Sequence, residues 1–222
     1  MANAPQNQLT IFTGLGDEEA ARLNALAGSR MIDADAFLFH QHSDAKYAYM
    51  VESGILMMER TSASGRRQVM AFIHPGNFIG IAQNEYYEFS VRALTDARLK
   101  EIPRKQFDAL QDEVPLLKDN VRRIGGNILA HTLDQVFALG QKKAHERICF
   151  LLQQLKERNP PGVVSIDLVM TRQDIADYLG LTIETVSRAF SKLKREGLID
   201  IHSAHTVVIL DDDSVSEMAL SD

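Results

Sequence analysis

The chain has 222 residues, 45% of them hydrophobic, and 30 acidic side chains against 24 Lys and Arg give a formal charge of −6. That length allows one large or two modest domains with buried cores, no apolar run approaches the ~20 residues that span a bilayer, and Cys149, the single cysteine, excludes an intrachain disulfide framework. Met1-Ala2-Asn3-Ala4-Pro5-Gln6-Asn7-Gln8 lacks the basic-then-apolar layout of a secretory leader, so the expectation is a cytoplasmic protein with no membrane partner.

Residues 14–28, centred on Leu15, Ala21, Leu23, Leu26 and Ala27, predict a short helix. From Phe37 to Ile102 the texture changes to short apolar runs, among them Phe37-Leu38-Phe39, Tyr47 to Val51, Ile55 to Met58 and Val69 to Ile73. Turn residues punctuate them at Glu52-Ser53-Gly54, Ser64-Gly65 and His74-Pro75-Gly76-Asn77. Strands at this spacing predict a β-sandwich or barrel. Ile102-Pro103-Arg104-Lys105-Gln106-Phe107 closes it and leads into helices. A long helix is expected from about Pro115 to Gly140. Leu129, Thr132, Val136 and Leu139 lie near heptad spacing in it, the pattern of a helix packing on its symmetry mate; the alternative is an ordinary helix covering the barrel. Gly125 and Gly126 each weaken a helix by about 1 kcal/mol relative to Ala, and permit either a close approach or a bend. Lys142 to Arg158 predicts a further helix with Ile148, Leu151, Leu152 and Leu155 on its apolar face, ended by Asn159-Pro160-Pro161-Gly162. Ile166-Asp167-Leu168 reads as a short strand.

Thr171 to Arg188 is the most informative stretch. It reads as two short helices joined at Gly180, where a tight turn needs a positive φ. Thr171 caps the first helix, with Asp174 three residues on in a capping-box-like spacing, and Thr182 caps the second. Ile175, Ala176 and Leu179 share one face; Val186, Ala189, Phe190 and Leu193 share another. That leaves Glu184, Ser187, Arg188, Lys192 and Arg195 on an outer polar surface. The pattern is a helix-turn-helix, against the blander alternative of any amphipathic helix hairpin. Leu198 to Ile201 and Thr206 to Ile209 alternate like a hairpin with His202-Ser203-Ala204-His205 at its tip, a wing placed to touch a nucleic-acid backbone. The last ten residues read as acidic and loose. Acid is concentrated there and in the N-terminal half, so the net negative charge does not preclude a local basic face on the second helix.

Ile183-Glu184-Thr185-Val186-Ser187-Arg188 resembles the recognition helix of the cyclic AMP receptor/fumarate–nitrate regulator (CRP/FNR) superfamily, written E-x-x-S-R in the fumarate–nitrate branch. Gly54, Gly65, Pro75-Gly76 and Gly80 stand in the order that the jelly-roll domains of this superfamily show, so the resemblance covers nearly the whole chain. It implies an α+β protein: a jelly-roll sensor domain over 1–114, a dimerisation helix over 115–141 whose seam holds Leu129, Thr132, Val136 and Leu139, and a winged helix-turn-helix over 142–222. It further implies a homodimeric transcription regulator of the FixK-like branch, more often an activator, with double-stranded DNA and RNA polymerase as partners. Ile183 stands where the cyclic AMP receptor carries an arginine. With Ser187 before Arg188, that points to a palindrome close to TTGAT-N4-ATCAA and to low-oxygen, nitrogen-oxide or respiratory genes.

Side-chain chemistry assigns the contacts. Glu184, in the first turn, can accept from cytosine N4, Arg188 can donate bidentately to guanine O6 and N7, and Ser187 can face a thymine. The plainer readings are a carboxylate stabilising a helix N-terminus and a phosphate clamp. Thr171, Arg172, Thr182, Thr185, Lys192, Lys194 and Arg195 are the candidate backbone contacts.

An iron–sulfur cluster needs about four thiolates, and Cys149 alone excludes one in a single chain; it reads as a buried structural thiol. Cyclic nucleotide binding in the superfamily uses Gly-Glu and Arg-Ser pairs. Here Gly80-Ile81 and Phe89-Ser90 replace them, and without the arginine of that pair nothing obvious in the motif neutralises a phosphate, so cyclic AMP is not expected. His40-Gln41-His42 has the H-x-H spacing of cupin metal sites but lacks their following glutamate, so no metal site or catalytic residue is expected and the protein is not read as an enzyme. Haem ligation by His40, His42, His74 or His131 stays open, since one or two histidines suffice. The alternative reading is thus a sensor whose barrel ligand controls DNA or partner binding.

Overall fold

The computed structural model describes residues 9–81 and 84–220; Met1 to Gln8, which the sequence reading finds unlike a secretory leader, lie outside them. The chain divides into two compact units, Met1–Ala130 and His131–Asp222.

In the first unit, helix α1 (Asp17–Leu26) opens with Asp17, Glu18 and Glu19 at its positive end, and the Glu19 carboxylate accepts from the Gly16 amide at 3.0 Å. Eight strands follow in two four-stranded antiparallel sheets. One has the order β1 (Gly28–Ile32), β8 (Ala97–Pro103), β3 (Tyr47–Ser53), β6 (Phe78–Ile79); the other β2 (Phe37–Phe39), β7 (Ser90–Ala93), β4 (Leu56–Thr61), β5 (Arg67–Ile73). Their inner faces enclose Ile32, Leu38, Phe39, Tyr49, Val51, Leu56, Ile73, Tyr87, Val91 and Leu99. This is a β-sandwich of the kind that the apolar runs predict, and the jelly roll that the family resemblance implies.

Two glycines make the turns possible. Gly54 (φ +86°) is pressed so closely on the next strand that a Cβ there would lie 2.4 Å from the Asp96 carbonyl oxygen. Gly65 (φ +78°), at the tip of the β4–β5 hairpin, faces open space. Strand β1 is not foreshadowed by the sequence: it lies at a sheet edge, and Gly28 to Met31 are exposed.

Helix α2 (Arg104–Glu113) covers one end of the roll through Phe107 and Leu110. Helix α3 (Pro115–Gln141) then runs unbroken through Gly125 and Gly126, at which an added Cβ would meet nothing within 4 Å.

The second unit holds the end of α3, then α4 (Ala144–Lys156), β9 (Ser165–Asp167), α5 (Arg172–Leu179), α6 (Ile183–Arg195), β10 (Ile199–Ile201), β11 (Thr206–Ile209) and α7 (Asp212–Leu220). Its three strands form one antiparallel sheet in the order β10-β11-β9. The apolar faces expected of α4, α5 and α6 are all buried, with Ile148, Leu152, Ile175, Ala176, Val186 and Leu193 at 0% exposure.

The expectation of a loose tail is corrected: residues 212–220 are helical, packed on α4 through Val215 and Ala219. Asp211 caps this helix, accepting from the Ser214 amide at 3.0 Å and its hydroxyl at 2.7 Å. Asp212 and Asp213 then sit in the first turn, where the helix dipole favours negative charge. The acidity that suggests disorder is a helix-start signal.

Candidate nucleic-acid interface

The reading head is built by local chemistry. Thr171 Oγ1 accepts from the Asp174 amide at 3.1 Å while Asp174 accepts from the Thr171 amide at 3.0 Å, a closed capping box that fixes the start of α5. Gly180 ends that helix at φ +61°, a left-handed residue where glycine is at ease. Thr182 then caps α6 by accepting from the Thr185 amide at 3.3 Å. Phe190, Val186 and Leu193 anchor α6 inward, which turns its opposite face to solvent.

Glu184, Ser187 and Arg188 all lie exposed on that face. The Glu184 carboxyl is held below the usual carboxylate range, first by its own backbone amide, then by the Thr182 hydroxyl, with the Arg188 charge adding to both. It is therefore an ionised acceptor at neutral pH. Arg188 donates to Thr185 Oγ1 at 3.1 Å, which holds the guanidinium beside the first turn. Ser187 donates to the Ile183 carbonyl at 2.9 Å, which engages its hydroxyl proton.

The candidate backbone contacts divide. Thr171, Thr182, Lys194 and Arg195 are exposed and Thr185 is half-buried. Lys192 is half-buried and its ammonium lies 3.0 Å from His145 Nε2 on α4. Lys194 pairs with Asp200 of β10 at 2.8 Å. Arg172 lies with its guanidinium 3.8 Å over the Phe190 ring, and its Nη1 is buried without a hydrogen-bond partner among the described residues. The wing tip, His202 to His205, is exposed; His202 faces Asp200 at 3.3 Å, and His205 Nδ1 lies 3.1 Å from the Leu168 carbonyl.

Along α3, Leu129, Thr132 and Val136 are exposed, while Leu139 is half-buried. Ile128, Leu133 and Phe137 are exposed as well, so the apolar strip runs Leu129, Leu133, Val136. The sequence reading missed Leu133, which is one residue away from the heptad choice of Thr132.

Inside the roll, Phe39 lies face to face with Tyr87, ring centroids 3.7 Å apart, with Tyr49 stacked at 5.8 Å. The Tyr87 hydroxyl donates to the Tyr47 carbonyl at 2.7 Å. Burial raises both the Tyr87 and Tyr49 phenols above their ordinary pKa. Phe89, at the position where the superfamily's arginine would stand, packs against this core. Gly80 (φ +83°) is so close to β3 that a Cβ would lie 2.8 Å from the Tyr47 carbonyl oxygen. His40 and His42 are exposed in the turn after β2, and the His40 ring lies tilted against Phe37, ring centroids 4.4 Å apart. His74 is half-buried and His131 exposed. Among the described residues no three His, Cys, Asp or Glu side chains are grouped to hold a metal ion, and no helix is long and apolar enough to cross a membrane.

Residues 146–217 match the Crp-like helix-turn-helix domain, and residues 29–113 the cyclic nucleotide-binding domain. The nitrogen fixation regulation protein FixK of Azorhizobium caulinodans is 33% identical over 206 residues, covering 89% of this chain and 83% of the relative. The transcriptional activator protein FnrL of Cereibacter sphaeroides is 32% identical over 223 residues, covering 94% and 87%. The solved structure of FixK2 from Bradyrhizobium japonicum superposes with a TM-score of 0.83 at 26% identity, covering 88% of this chain and 98% of that one.

Proposed function

This chain belongs to the CRP/FNR family, in its FixK branch, and from that premise we propose that it reads a TTGAT-N4-ATCAA-like palindrome as a homodimer and activates transcription by engaging RNA polymerase. It is a DNA-binding regulator and not an enzyme. The observation that carries the finer reading is the capped helix α6, which presents Glu184, Ser187 and Arg188 together on one exposed face. An ionised carboxylate suits the cytosine N4 donor and the guanidinium suits guanine. Low-oxygen, nitrogen-oxide or respiratory target genes and a cytoplasmic location are part of this proposal; the names of the relatives, a nitrogen fixation regulation protein and a transcriptional activator protein, support the regulation and activation of transcription.

The exposed strip of Leu129, Leu133 and Val136 supports the homodimer, since three large apolar side chains about one turn apart on a helix are the seam of a coiled coil. The stacked rings of Phe39, Tyr49 and Tyr87 support a barrel that needs no ligand, cyclic AMP or haem, the output then following the protein's abundance.

The test is fluorescence anisotropy of protein purified in air, without additives, on a labelled TTGAT-N4-ATCAA duplex against one with both boxes scrambled. Tight binding to the first alone is expected. Equal, weak binding to both would overturn the reading, and a visible spectrum with a Soret band would replace it with the haem sensor.

A further inference from the structure

The corner that joins the two helices of the reading head is gripped from one side. Arg147, in the first turn of α4, donates from Nε to the Lys142 carbonyl at 2.9 Å and from a terminal nitrogen to the Leu179 carbonyl at 2.9 Å. The first of these acceptors lies just past the end of α3, whose hydrogen bonding continues to the Lys142 amide; the second is the last residue of α5. Both are of the kind that a helix leaves without an internal partner at its negative end. The planar guanidinium fork reaches two such carbonyls in one fixed geometry, which a flexible ammonium cannot. Two residues of α3 reinforce the grip: Gln135 donates to the Tyr178 carbonyl at 3.5 Å, and Leu139 Cδ2 lies 3.6 Å from where a Cβ on Gly180 would stand.

Tyr178, Leu179 and Gly180 are the residues from which the chain turns into α6. Their position on the end of α3 fixes where α6 begins and which way it points. In a two-fold dimer joined along α3, that geometry sets the separation of the two recognition helices, and half-site separation is what the spacer of a palindrome measures.

We propose that Arg147 is a positioning residue for DNA recognition, which sets the spacer length the dimer accepts by locking the Tyr178–Gly180 corner to the end of α3. It touches no base. The inference rests on the homodimeric, palindrome-reading function proposed above.

The experiment measures anisotropy of the full chain on four duplexes: the palindrome with N3, N4 and N5 spacers, and a single TTGAT half-site. The wild type should prefer N4. Arg147→Gln should hold the half-site within about twofold of the wild type while its preference for N4 over N3 and N5 falls at least about fivefold, because a dimer gains from its second head only when geometry permits both to engage. Arg147→Lys keeps the charge, loses the fork, and serves if the glutamine variant does not fold; its spacer preference should fall to an intermediate value. Unchanged spacer preference in a folded variant would overturn the inference, as would equal losses on all four duplexes, the mark of a merely structural role. A wild type that binds the palindrome no better than the half-site would instead overturn the homodimer reading, and the inference with it.

Discussion

Arg188 stands one turn after Glu184 on the exposed face of α6, held there by Thr185. Removing its guanidinium in Arg188→Ala should cost about 1–3 kcal/mol of binding and relax the guanine preference. A competition series with each half-site guanine replaced would show it, and undiminished discrimination would reduce Arg188 to a phosphate clamp. The glycines allow a paired test of stability. Gly65→Ala meets open space and incurs only the strain of positive φ, on the order of 1 kcal/mol. Gly54→Ala forces a carbon to within 2.4 Å of the Asp96 carbonyl oxygen and should lower the urea midpoint several-fold more. Comparable midpoints for the two variants would contradict the close packing at Gly54. Burial pushes the Cys149 thiol up to about 12. A thiol whose folded pKa lies above its ordinary value of about 8.5 contributes stability that is complete below that ordinary value and lost as pH climbs toward the folded one. Denaturant unfolding measured from pH 8 upward should therefore show falling stability, less steeply in Cys149→Ala, and thiol reagents at pH 8 should react only with unfolded chain. Residues of this kind differ in how readily the sequence shows them. Thr171, Asp174, Gly180 and Thr182 are legible because capping and positive φ are local chemistry. The inward ties of Lys192 to His145, Lys194 to Asp200 and Arg172 to Phe190 are not, because their partners lie between 6 and 47 positions away.

At the level of elements, helix α3 is where spacing and structure diverge most usefully. Heptad counting picks Leu129, Thr132, Val136 and Leu139; burial redistributes them, since Leu139 packs beside Gly180 and Leu133 is left bare at 60% exposure. A seam of Leu129, Leu133 and Val136 predicts that Leu133→Glu breaks the dimer, because it sets like charges against each other across the two-fold axis in an apolar seam. Sedimentation velocity should then give a monomer with an unchanged circular dichroism spectrum, and palindrome binding should drop to half-site strength. A dimer that survives this substitution would put the interface elsewhere. The helices α4 to α6 are legible because each buries a regular apolar face, and the strands β3, β4 and β5 because each carries a short apolar run bounded by turn residues. Strand β1 is not, because an edge strand with four exposed residues has no buried face to announce it. Helix α7 escapes for a different reason: its start signal, Asp211 to Asp213 with Ser214, is made of the same residues that mark solvated tails.

For the whole molecule the formal charge of −6 opposes DNA, so binding must draw on a local cluster rather than on the average field. With Lys192, Lys194 and Arg195 of two copies on phosphates, affinity should fall about 10³-fold between 50 and 200 mM salt. A titration of affinity against potassium chloride checks this, and a shallow slope would mean that Lys192 and Lys194 stay on His145 and Asp200 when DNA binds. The interlocked rings of Phe39, Tyr49 and Tyr87 have a consequence in time. A regulator that works by releasing a small molecule can fall silent within seconds of that molecule's disappearance. On the proposed ligand-free reading, a barrel that carries its own side chains as filling offers no such release, and its promoters would quieten only as fast as the protein is degraded or diluted by growth. In the proposed homodimer, occupancy of the full palindrome at low abundance varies with the square of the number of chains, so halving the protein would cut the signal about fourfold. On that reading memory and threshold would come from synthesis and turnover, quantities that no titration with a metabolite would reveal.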